Sequence, residues 1–147
     1  MSVSSFAPRS RNALFAVSVI FNYDGTATVM KDVVPAPATR TQTIQFQATQ
    51  GEQAPLARFD MLLPDCTDNK NFKALVTVMP VNGSLSASAA DTVANYQPPA
   101  PQAACNGQTH KQLVILYAAK NAGTDSVTIR AGSGKEVVDL VFQIKID

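Results

Sequence analysis

Val138, Leu140, Phe142, Ile144 and Ile146 alternate with Asp139, Val141, Gln143 and Lys145. A period of two sustained this far predicts a strand with one buried face and one mostly wet face. The same signal recurs upstream. From Asn12 to Tyr23, Phe15, Val17, Val19 and Phe21 share one side, while Leu14, Ala16 and Ile20 make the other side apolar as well. Asp24-Gly25 follows, a pair that tolerates the positive φ values of a type I′ turn, so a two-residue hairpin with Thr26 to Met30 as its return strand is expected.

Val33 to Thr39 reads V-V-P-A-P-A-T. Proline lacks a ladder donor, so this stretch predicts an extended connector or a sheet edge. Ile44, Phe46 and Ala48 then face inward, with Thr43, Gln45, Gln47 and Thr49 outward. Leu56 to Leu63 predicts a less regular strand stopped by Pro64. Phe72, Ala74, Val76 and Val78 renew the alternation up to Pro80, and Asn82-Gly83 turns the chain.

Ser84 to Thr109 is small, polar and proline-bearing, centred on Pro98-Pro99-Ala100-Pro101. It is expected to be a long excursion, with room for a helical turn between Ser86 and Tyr96. Gln112 to Ala119 is apolar on both faces, as a central strand would be. Val127 and Ile129 mark another strand, and Gly132-Ser133-Gly134-Lys135 a hairpin turn before the final one.

These elements predict an all-β fold: an antiparallel two-sheet β-sandwich, jelly-roll or immunoglobulin-like, of about eight strands with little or no helix. The expected organisation is an N-terminal leader over 1–12 and a single domain over 13–147, with the excursion at 84–109. A chain of 147 residues has room for one substantial core.

Apolar residues make up 46% of the chain and charged residues 16%, with a net charge of +1. Such a balance gives no general field for nucleic acid or acidic membranes, so nucleic acid is not expected as a main partner. Arg9 and Arg11 before the apolar stretch Ala13 to Phe21 imitate a secretory signal. No small-x-small triplet follows promptly, however, and no export signal is expected. No run approaches the roughly 20 apolar residues that a membrane-spanning helix needs.

Candidate chemistry is sparse. Cys66 and Cys105 are the only thiols. Both lie in loop-like sequence, and the alternatives of a disulfide and two free thiols stay open. The single histidine, His110, has no evident partner to orient it and is expected to be structural. Gly132-Ser133-Gly134-Lys135 lacks the first glycine and the Ser/Thr of a phosphate loop. Asp65, Asp68, Asn69 and Asn71 offer closely spaced oxygens, but a solvated Asx-rich turn is the expected reading. Asn82-Gly83-Ser84 is a glycosylation triplet of a very common kind. No carboxylate pair stands out for acid–base work. Catalytic residues, cofactors and metal ligands are accordingly not expected.

The general character resembles small β-sandwich virion proteins: coat, capsid-decoration or tail components. That resemblance implies a non-catalytic structural protein that associates with itself and with other subunits of an assembly, in a virion or extracellular setting. The N-terminal leader, Pro35 to Thr39 and Ser84 to Thr109 are the expected contact regions. An extracellular adhesion or carbohydrate-binding module, using the loops around Tyr96 and Asp65 to Asn71, is the alternative. An enzyme would require His110 to meet Cys105 or a carboxylate.

Overall fold

The computed structural model describes residues 17–31, 38–133 and 136–147. The expected leader, the start of the first strand before Val17, residues 33–37 of the expected connector Val33 to Thr39, and Gly134-Lys135 fall outside them. The described residues form β1 (Val17–Asn22), β2 (Ala27–Lys31), β3 (Arg40–Ala48), β4 (Gln53–Asp60), β5 (Lys73–Val78), β6 (Gly83–Val93), β7 (Thr109–Ala119), β8 (Gly123–Ser133) and β9 (Glu136–Ile146). The fold is all-β, and the helical content among the described residues is a 3-10 turn at Pro101–Cys105.

The strands make two sheets, one of six in the order β2-β1-β5-β8-β9-β3 and one of three in the order β4-β7-β6. A single core joins them. Phe21, Val76, Val127, Ile129, Phe142 and Ile144 of the larger sheet cluster with Leu56, Leu113, Ile115 and Tyr117 of the smaller one. β7 is central, as its two apolar faces predict, and β9 buries Phe142, Ile144 and Ile146 in alternation.

Four expectations need correction. The sheets are not wholly antiparallel, because β3 runs parallel to β9, with Arg40 opposite Val138 through Ala48 opposite Ile146. A parallel pair needs a long crossover, and the chain between Ala48 and Glu136, which visits both sheets, supplies one. Nor is 84–109 an excursion throughout. Its first part is β6, paired along its whole length with β7 from Gly83 opposite Ala119 to Val93 opposite Thr109. Ser and Ala at the edge of a sheet need no bulky alternation, because β7 supplies the apolar mass of this sheet.

The β1–β2 connection is longer than two residues. Asn22 and Thr26 close a loop of Tyr23, Asp24 and Gly25, with Gly25 N donating to Asn22 O and Asn22 N donating to Thr26 O. Only Gly25 takes a positive φ, +85°, while the Asp24 carboxylate accepts from Thr26 N at 3.1 Å and Thr26 Oγ1 at 2.6 Å. This is the geometry of a type I turn followed by a left-handed glycine. Finally, Val78 faces outward, because the β5–β8 register shifts between Val76 and Val78.

Where the chain passes from β5 in the large sheet to β6 in the small one, the buried carboxylate of Asp125 holds the crossing. It accepts from Val81 N and Asn82 N, each at 3.0 Å, from Ser126 N at 2.9 Å and from the Tyr117 hydroxyl at 2.7 Å. A carboxylate out of water must be hydrogen-bonded on both oxygens, and here both are. Burial first, then the hydrogen bond and charge of Asp125, push the Tyr117 phenol well above the usual tyrosine value.

Candidate functional site

The titratable and loop residues singled out from sequence meet at one end of the small sheet. Three register pairs place them: Asp60 opposite Gln112, Thr92 opposite His110 and Val93 opposite Thr109. β4 therefore ends, β6 ends and β7 begins at the same edge, where the loops 61–72 and 94–108 leave the sheet.

Cys66 and Cys105 join these loops through an S–S bond of 2.01 Å. Beneath it lies a small apolar cluster of Leu62, Ala94 and Cys105, with Cys66 and Tyr96 packed alongside. Backbone bonds fix both loops: Leu63 N to Thr67 O at 2.8 Å, Asn69 N to Met61 O at 2.8 Å, Ala94 N to Gln108 O at 2.9 Å and Gly107 N to Ala94 O at 3.0 Å. The Asn106 side chain closes the second loop, accepting from Tyr96 N at 2.7 Å and donating to Tyr96 O at 2.9 Å.

His110 is buried, with 6% of its surface exposed. Its Nδ1 lies 3.3 Å from Asp60 Oδ1 and 3.1 Å from the Lys111 carbonyl. Two acceptors on one ring nitrogen fix the tautomer with the proton on Nδ1. Asp60 is the open member of the pair, its side chain 37% exposed. It also faces Tyr96, whose phenol is held well above the usual value by burial first and then by the hydrogen bond and charge of Asp60. Beside them, Lys111 bonds Asp91 at 2.7 Å, which raises its ammonium pKa, and Lys111 N approaches Asp68 Oδ1 at 3.4 Å.

This arrangement pairs an imidazole with a carboxylate, His110 with Asp60. The His110 ring is enclosed, and the exposed member of the pair is Asp60. The thiol of Cys105 is bonded to Cys66, so His110 has no thiol neighbour to activate. The carboxylate that an enzyme reading required is present in Asp60; sequence alone gave no pointer to it, because β4 and β7 are brought together only by the sheet.

The other motifs resolve locally. Asp65 accepts from Thr67 N and Thr67 Oγ1, at 3.1 and 2.6 Å, and Asn69 accepts from Asn71 N at 3.1 Å, so this loop is built from Asx turns. Those bonds to Thr67 hold the Asp65 carboxyl below its ordinary range. Among the described residues no group of three or more His, Cys, Asp or Glu is arranged to hold a metal ion. Asn82 donates its side-chain amide to Thr124 O at 2.7 Å, which commits it to the β5–β6 crossing. Ser133 pairs with Glu136 on either side of the expected turn. Among the described residues no helix is long and apolar enough to cross a membrane.

The sequence matches no protein-family model and no curated protein. Among solved structures the chain is similar to the solution structure of amebosin, with 11% identity and a TM-score of 0.40 over 76% of this chain and 100% of that one.

Proposed function

We propose that this protein is a non-catalytic assembly component, a β-sandwich that acts through protein–protein interfaces, and that a small virion protein of the coat, decoration or tail kind describes it best. One observation supports the reading: among the described residues no strand pairs with the outer edge of β3. Arg40, Thr41, Gln42 and Thr43 are all exposed, as are Gln45 and Gln47, and Arg40 is the strand's one charged residue. A long, nearly uncharged edge is a ready template for another chain. The low overall charge agrees with a surface that neighbours cover.

Sedimentation velocity across a wide concentration range, with negative-stain electron microscopy of the same sample, tests the proposal. Self-association into a defined particle is expected; a monomer at every concentration would overturn it.

A second reading is favoured by the convergence of Tyr96, Asp60 and Asp68 at the disulfide-bonded end. An aromatic ring beside carboxylates suits a carbohydrate-binding module outside the cell. Specific hits on a glycan array, lost in Tyr96→Ala, would establish that reading instead.

A further inference from the structure

We propose that two copies of this chain pair through β3, antiparallel across a two-fold axis centred on Ile44, so that their six-stranded sheets become one. The inference rests on the assembly reading above and names its contact.

The two sheets present four edge strands, β2, β3, β4 and β6. Two of them carry devices that discourage pairing; β2 is described over five residues, up to Lys31. β4 contains Pro55, breaks register between Pro55 and Ala57, and carries Arg58 and Asp60. β6 is approached by the β1–β2 turn: a Cβ on Gly25 would lie 2.7 Å from Ala89 N and 2.9 Å from Ser88 C. β3 carries a single charge, Arg40 at its first residue. It runs nine residues without proline, and its register with β9 is unbroken. Side-chain bonds from Gln45 to Gln143, at 2.6 Å, and from Gln47 to Asp147 stiffen it against its neighbour.

The free groups of β3 restrict the register, and full overlap of its nine residues places the axis at Ile44. Ala48 O accepts from Asp147 N, so the backbone of Ala48 points toward β9. Alternation then turns Gln42, Ile44 and Phe46 the same way, and turns the N–H and C=O of Thr41, Thr43, Gln45 and Gln47 outward. A two-fold axis at Ile44 sets Thr43 opposite Gln45 of the second copy and Thr41 opposite its Gln47. Every hydrogen-bonded pair in that arrangement joins two outward-facing residues. Arg40 falls opposite Ala48 of the second copy, so no like charges meet. A second copy supplies a strand of the same nine-residue length, so the pair leaves no outward group of either β3 unmatched between Thr41 and Gln47.

Sedimentation equilibrium on the full chain tests this with two kinds of variant. Thr43→Pro removes an outward N–H and leaves the β9 ladder intact, and is expected to weaken self-association at least tenfold. The doubly substituted T43K/Q45K and T43E/Q45E chains place like charges opposite each other. Each is expected to lose self-association, and an equimolar mixture is expected to recover it. If wild type associates and the proline and charged variants associate equally well, the β3 contact is wrong while the assembly reading stands. If the mixture does not recover, the register on Ile44 is wrong. A wild type that stays monomeric removes both the contact and the reading beneath it.

Discussion

The Tyr117 phenol donates a 2.7 Å hydrogen bond to Asp125 Oδ2, from the small sheet to the large one. The carboxylate also holds the amides of the β5–β6 crossing. Asp125 thus ties the small sheet to the large one and to the β5–β6 crossing.

Removing the hydroxyl leaves a buried carboxylate short of one donor. Tyr117→Phe is expected to destabilise the protein by about 1.5–3 kcal/mol, the range for hydrogen bonds to charged groups. Asp125→Ala strands Val81 N, Asn82 N and Ser126 N together with the Tyr117 hydroxyl, and its cost should exceed that of Tyr117→Phe. Urea unfolding followed by circular dichroism measures both; equal stability of Tyr117→Phe and wild type would contradict the role assigned to the bond.

The Cys66–Cys105 bridge spans a sequence separation of 39. Closing a loop of that size stabilises the folded state by roughly 4 kcal/mol in the chain-entropy model. Cys66→Ser/Cys105→Ser is expected to lower the urea midpoint substantially, and a non-reducing peptide map of wild type should link the two cysteine peptides. Recovery of unlinked, alkylatable thiols from the native protein would count against the bridge.

Asp139 accepts from Arg130 Nε and Nη2, each at 2.7 Å. That hydrogen bonding, ahead of the charge of Arg130, holds the Asp139 carboxyl below the ordinary value of 3.8. A depressed carboxylate contributes stability that is complete above its unfolded pKa and is lost as pH falls through the folded one. Stability should therefore fall below about pH 4, and Asp139→Asn should flatten that acid limb. The measurement is the urea midpoint at a series of pH values; an unchanged acid limb in the variant would refute the assignment.

At the alkaline end the sign reverses. Tyr96 and Tyr117 are both raised, by burial first, so each contributes stability that is complete below pH 10 and declines above it. Spectrophotometric titration should show Tyr96 and Tyr117 resisting ionisation until the protein unfolds. Ordinary titration of both in the folded protein would be the opposing result.

Gly25 combines a φ of +85° with close approach to the backbone of Ser88 and Ala89. Gly25→Ala meets both the left-handed penalty and a steric conflict, and a loss of more than 1 kcal/mol is expected from thermal or urea unfolding. A neutral effect would mean that the β1–β2 turn does not bear on β6.

Much of the architecture was legible wherever side chains alternate strongly. β3, β7 and β9 follow the sequence pattern because their inward residues are large: Ile44 and Phe46, Leu113 and Ile115, Phe142 and Ile144. β6 was hidden because its alternation is between Ser and Ala or Leu, a composition shared with loops, and its place depends on β7. The parallel pairing of β3 is a tertiary outcome with no local mark. Asp125 left a trace, for it lies in phase with Val127, Ile129 and Ala131, where an acid on an otherwise apolar face signals a buried network. Asp60 left none, since its meeting with His110 and Tyr96 follows from sheet register and the loop joined to Cys66.

The pairing of Arg40 with Val138, and of each residue after it, unites segments made far apart in time on the ribosome. β3 is made well before β9 and stays without its one described neighbour until β9 is synthesised. Such distant contacts close slowly. A nascent chain would hold a nearly neutral ribbon while the residues between Ala48 and Glu136 are made, so newly made copies should depend on holding chaperones and should misassemble when translation stalls before Glu136.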